Sequence, residues 1–218
     1  MTKTTVKIDI ISDVVCPWCY LGQARLALAL DRVKDVLTAT IAWKPYQLEP
    51  NAPAEGLDTF DYLARKIGGA EAVKRGHQML TQLGDEIGLP FAFEKARIFP
   101  NTLDAHRLIH WAAASGETVQ NAVSKALFTA NFVEGENVGD HAVLLDIAEK
   151  SGMDRGATAE KLASYIDVDT VKDEIAAAQR MGVSGVPCFV IDDQYVVTGA
   201  QSVEVFENAF RQLASMKT

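Results

Sequence analysis

The chain has 218 residues, 48% hydrophobic and 23% charged, enough to bury the core of one large domain or one domain with an insertion. Lys and Arg number 21 against 29 Asp and Glu, a formal net charge of −8 with no basic stripe, which excludes a nucleic-acid surface. No run of about 18 apolar residues can span a membrane, and no basic, apolar and small-residue leader opens the chain, so a cytoplasmic protein is expected.

Residues 6–11, Val-Lys-Ile-Asp-Ile-Ile, alternate as a strand does. After them come Asp13-Val14-Val15-Cys16-Pro17-Trp18-Cys19-Tyr20-Leu21-Gly22 and a helical run over 21–36, with Leu26, Leu30 and Val33 at i, i+4 and i+7. Pro17 falls where the first helical residue belongs, a position that has no helical amide partner to lose. Two cysteines three positions apart therefore sit at a strand-to-helix junction. The orphan amides and positive end of a helix favour an anion, and the thiolate is the reactive form of cysteine. Cys16 is expected to be the nucleophile. Cys19, one turn further in, is expected to resolve the mixed disulfide. A zinc site needs four ligands, and Cys188 is the only other cysteine, so no metal is expected. A structural disulfide and an inert pair are the remaining alternatives, and a cytosol keeps thiols reduced.

Residues 37–48 read as a second strand, frayed or placed at an edge by Pro45. Breakers fill 49–56. Residues 57–182 look wholly helical. Asp58 or Thr59 caps the first helix and Gly68-Gly69 ends it; 70–87 follow, closed by Gly88 and Pro90. Asn101 is predicted to cap a helix to about 115, and 117–132 form another. Asp140 caps a helix carrying Val143, Leu144, Ile147 and Ala148. A short segment at 157–165 and a helix at 169–181 complete the stretch. Then 186–191 and 195–198 read as strands joined at Asp192-Asp193, and Ser202 caps a last helix with Val205, Phe206, Ala209 and Leu213 at helical spacing. The order is β-α-β, helices, β-β-α. The inserted stretch is expected to leave and rejoin at one edge of the sheet.

The Cys-Pro-Trp-Cys-Tyr-Leu-Gly segment, the run Asn101-Thr102-Leu103-Asp104-Ala105-His106-Arg107-Leu108, and Gly182-Val183-Ser184-Gly185-Val186-Pro187 together resemble the thioredoxin superfamily. Within it they resemble the DsbA family, most closely its FrnE-like cytosolic branch, over essentially the whole chain. The resemblance implies an α/β thioredoxin-like fold with an inserted all-helical domain, divided as 1–55 and 184–218 against 56–183. It implies a thiol–disulfide oxidoreductase working through a Cys-Pro-Trp-Cys site. It implies that Val186–Pro187 is a cis bond facing the cysteines, so that Pro187 joins Cys16 and Cys19 as a catalytic residue. Pro17, Trp18 and Val186 would contact substrate, and Asn101 and His106 would line the cleft over Cys16. Trp18 replaces the histidine of the prototype oxidase; an indole carries no positive charge, so a milder oxidant is expected. No cofactor is implied beyond glutathione or a dithiol protein as electron partner. Substrates would be disulfide- or dithiol-containing proteins or small molecules.

Related inserted folds, kappa-type glutathione transferases and 2-hydroxychromene-2-carboxylate isomerases, place serine at the first motif position. Cys16 with a resolving Cys19 favours exchange over that glutathione-dependent alternative. A redox sensor or chaperone-like binder that uses the pair as a switch is a third possibility. Cys188 is expected to pack as a small hydrophobe. His106 and His110 share a helix face, with no third metal ligand apparent. Asn101 also suits a helix N-cap. Asp13 either touches the thiols or anchors its loop. Glu134, Glu136 and Asp140 read as a solvated face, since their spacing lacks a calcium-loop pattern.

Overall fold

Strand β1 (Thr4–Ser12) buries Val6, Ile8 and Ile10, with Lys7 facing solvent, the period-2 alternation its sequence dictates. The computed structural model describes residues 3–217. Helix α1 spans Pro17–Arg32, and β2 (Leu37–Pro45) lies parallel to β1 in the register Ile10–Trp43. The chain returns to the sheet at β5 (Cys188–Ile191) and β6 (Tyr195–Thr198), both antiparallel to their neighbours, and ends in α9 (Val203–Met216). The strand order is β2-β1-β5-β6. The segment between β2 and β5 thus leaves from an edge strand and rejoins at an inner one. The expectation of a single edge is corrected: β5 pairs with the far side of β1, so the connection must cross past it. Asp192 and Asp193 both take positive φ, 51° and 57°, in the turn between β5 and β6, a conformation that aspartate tolerates better than most residues.

The intervening segment contains α2 (Thr59–Ile67), α3 (Ala70–Asp85), α4 (Leu103–Ala114), α5 (Glu117–Thr129), α6 (His141–Lys150), α7 (Arg155–Leu162) and α8 (Val168–Arg180). It is not wholly helical. Leu57–Asp58 (β3) and Ile98–Phe99 (β4) form a two-rung antiparallel ladder, and α5 runs on into a π-helical turn, Ala130–Glu134. Side-chain caps sit where the sequence places them: Asp58 accepts from the Asp61 amide at 2.8 Å, Asp140 from Ala142 at 2.8 Å and Ser202 from Val205 at 3.3 Å. The α4 cap is Thr102 rather than Asn101. Asn101 stands one residue earlier, and its carboxamide still accepts from the Leu103 amide at 3.1 Å. In α9 Phe206, Phe210 and Leu213 are buried, while Val205 faces solvent.

One apolar cluster runs without a break from β1 and α1 into α4, α5 and α9. A smaller one, Ile11, Ala178 and Cys188, lies on the opposite face of the sheet under α8. Gly22 fits α1 against the returning chain. A Cβ there would stand 3.0 Å from Pro187 Cγ and 3.2 Å from Phe189 Cζ, so the close approach needs the missing side chain. The open amides of edge strand β2 are covered by α5 side chains. Glu117 accepts from the Ile41 amide at 2.8 Å. Gln120 accepts from the Trp43 amide at 3.1 Å and donates back to its carbonyl at 3.3 Å.

Candidate active site

Cys16 is the N-cap of α1, with extended backbone (φ −90°, ψ 110°) and Pro17 as the first helical residue. The loop before it is pinned by Asp13, which is fully buried. Its carbonyl accepts the Cys16 amide at 3.0 Å, one carboxylate oxygen accepts the Leu48 amide at 2.8 Å, and the other lies 3.3 Å from His106 Nε2. Asp13 is therefore a loop anchor. Cys16 is 4% exposed, and its thiol donates to the Val186 carbonyl at 3.7 Å. Cys19 is 1% exposed. Burial, reinforced by the neighbouring Cys16 thiol, pushes the Cys19 thiol well above its ordinary range, so it holds its proton. All three cysteines are free thiols.

The Val186–Pro187 bond is cis. Val186 brings its carbonyl to Cys16, and the Pro187 carbonyl accepts the Gly199 amide at 2.8 Å. Cys188 is 2% exposed in the β1–β5 ladder opposite Ile11, and burial raises its pKa.

Next to Cys16 lies a cavity of about 380 Å³. Cys16, Pro17, Trp18 and Val186 all line it, so four of the sequence-predicted residues meet there. Asn101 and His106 are not among its lining residues. Asn101 is held between Gln47, at 3.1 Å, and the Ala52 carbonyl, at 2.8 Å, while His106 turns to Asp13. His110 faces Glu174 at 3.3 Å, apart from His106. Among the described residues no cluster of His, Cys, Asp or Glu is arranged to hold a metal.

The remaining walls come from residues that sequence reasoning missed: Tyr62, Lys66, His77, Leu80, Asn131 and Phe132. Tyr20, the neighbour of Cys19, begins an aromatic stack that reaches this wall. It packs on Phe91 at 5.4 Å and Phe132 at 5.7 Å; Phe91 stacks on Phe93 at 4.9 Å, and Phe93 on His77 at 4.0 Å. Asn131 left a signal, a lone carboxamide in the stretch Leu127 to Val133, which is otherwise apolar apart from Thr129. His77 and Lys66 left none, because their helices carry many other polar residues.

A helix-terminal thiol, a protonated thiol one turn in and a cis-proline loop whose Val186 carbonyl meets Cys16 make up the centre of the site. The chain belongs to the DSBA-like thioredoxin domain family, whose model matches residues 7–211. It is similar to the probable DsbA oxidoreductase SCO1869 from Streptomyces coelicolor, with 30% identity and a TM-score of 0.85 over 98% of this chain and 91% of that one. It is 29% identical to the uncharacterized protein YwbO of Bacillus subtilis (strain 168), over 94% of this chain and 96% of that one. The fold is also that of a 2-hydroxychromene-2-carboxylate isomerase, at 20% identity and a TM-score of 0.70 over 97% of each chain. The family model spans the helical stretch as well as the sheet. No helix among the described residues is long and apolar enough to cross a membrane.

Proposed function

We propose that the protein is a thiol–disulfide oxidoreductase in which Cys16 attacks and Cys19 resolves. The observation that carries this is the difference between two thiols one helical turn apart. Cys16 sits at the amide-rich start of α1 and faces the cavity, whereas Cys19 lies inside, its proton retained by burial. Cys16 displaces one sulfur of a substrate disulfide and forms a mixed disulfide. Cys19 then gives up its proton, attacks Cys16 Sγ, and releases the second substrate sulfur as the Cys16–Cys19 disulfide closes. Glutathione or a dithiol protein returns the two electrons. Run backward, the same steps oxidise a dithiol. A cytoplasmic site, where thiols are kept reduced, favours the reductive direction.

Trp18 and Pro17, at the cavity mouth, contact the incoming group, with Val186 opposite. The isomerase likeness is one of fold. That chemistry has no use for a resolving thiol, and Cys19 supplies one. Reduction of insulin by the protein under dithiothreitol separates the two. Cys16→Ser and Cys19→Ser should each fall to the uncatalysed rate. A Cys19→Ser variant that keeps full activity while a glutathione-dependent isomerisation proceeds would overturn the exchange reading.

A further inference from the structure

The cavity beside Cys16 is bounded by the start of α1, by α2 and α3, by residues 93–99, by the π-helical turn and by the loop at 185–186. The volume, about 380 Å³, opens to solvent past Trp18, Lys66, Ile67 and Ile98 and is deep enough behind them to take a small molecule. It lies in the lower part of the roughly 300–1,000 Å³ range of such sites. Leu63, Val73, Leu80, Phe132 and Val186 make much of the wall apolar.

The ionisable groups at the wall are paired or uncharged. Lys66 Nζ pairs with Glu49 at 3.3 Å, and burial lowers the His77 pKa, leaving its imidazole uncharged at neutral pH. A charged group carried past the exposed Lys66 into the apolar part of the cavity would be desolvated without a partner.

One polar group is left open to the cavity. Asn131 is 4% exposed and lines the cavity, and its carboxamide has no hydrogen-bond partner among the described residues. A carboxamide placed in an otherwise largely apolar cavity is the kind of polar group that orients a ligand there. Asn131 stands in the π-helical turn, a feature found frequently at functional sites.

We infer that this cavity is the substrate pocket for an uncharged, low-molecular-weight disulfide. Its ligand has an apolar aliphatic or aromatic body and an amide or carbonyl group that Asn131 hydrogen-bonds, with its sulfur presented to Cys16. The inference rests on the exchange reading of Cys16 and Cys19. A substrate R–S–S–R leaves one RS⁻ when Cys16 attacks and the second when Cys19 closes the protein disulfide. A dithiol protein or two glutathione molecules then supply two electrons and two protons, so the balance is one disulfide to two thiols.

The test uses symmetric disulfides of N-acetyl-, N-butyryl-, N-hexanoyl- and N-octanoylcysteamine, with insulin as the macromolecular control. In the wild type kcat/KM should climb at least about tenfold from the acetyl to the longer acyl probes, as each methylene is buried. Leu80→Trp, which fills the cavity, should bring that ratio to about one. Asn131→Leu should shrink the preference for an amide-bearing over a plain dialkyl disulfide by about tenfold. A flat chain-length profile in the wild type with insulin still reduced overturns the pocket and leaves the exchange reading standing. Failure to turn over insulin and every probe overturns both.

Discussion

The chain between β2 and β5 meets the sheet in two different ways. On one side α4, α5, α7 and α8 are tied in by buried polar groups. Helix α4 buries Ala105, His106, Arg107, Leu108, Ile109, Trp111 and Ala112. The Arg107 guanidinium is 2% exposed. It pairs with Asp104 at 2.7 Å, donates to the carbonyls of Lys161, Ser164 and Ile166 at 2.7–2.9 Å, and lies 4.9 Å from the Trp111 ring. On the other side α2 buries only Tyr62, and α3 only Val73, Leu80 and Gly84. Phe60, Ile67 and Met79 of these helices are exposed. The first side is a frame; the second is a wall around the cavity. Rigid placement of the thiols and access to Cys16 are thus assigned to different helices, and local opening at α2 and α3 need not disturb the α1–β1 junction.

The frame should break hardest at Arg107. Arg107→Met strands the Ser164 and Ile166 carbonyls, while Asp104 keeps His141 at 2.8 Å and the Lys161 carbonyl keeps the Ser164 hydroxyl at 2.8 Å; each stranded carbonyl should cost about 1–3 kcal/mol in urea unfolding. A loss under about 1 kcal/mol would show that the frame does not depend on this residue. Next is Gln120→Ala, which leaves the Trp43 amide and carbonyl unpaired at the covered edge of β2. It should cost about 1–3 kcal/mol by the same measurement.

The wall gives the smallest effect, as a pH dependence. Burial lowers the His77 pKa from 6.5, so the unfolded chain takes up this proton at a higher pH than the folded one. Stability from this group is present above about pH 6.5, declines as the pH drops through that value, and levels off below the folded pKa. His77→Phe keeps the ring stacked on Phe93 and should remove that part of the slope between pH 7.5 and 5.5. An unchanged slope would mean that the imidazole is not held neutral by the wall.

Much of the frame was legible in the sequence. Period-2 alternation in β1, Pro17 at the start of α1 and acidic or hydroxyl caps at Asp58, Asp140 and Ser202 each act locally, and each acts where it was read. The Cys16–Cys19 pair was legible for the same reason. What was not legible depends on distance along the chain. The β3–β4 ladder is too short to show a period. The return of the chain to an inner strand is decided by pairing between β1 and β5. Arg107 reads as one more solvated charge on a helix, because only the 161–166 turn, folded over it, supplies its acceptors. The cavity takes its walls from seven segments, so no single stretch announces it. Asn101 and His106 lie near the site in the chain's path but spend their side chains on Gln47, Ala52 and Asp13.

The division of labour between the two thiols is tested most directly by trapping. Reduced Cys19→Ser protein incubated with insulin, acid-quenched and mapped by peptide mass analysis should carry a stable mixed disulfide on Cys16 alone, with Cys188 unmodified. An adduct on Cys188, or no adduct while wild-type protein reduces insulin, would contradict attack by Cys16.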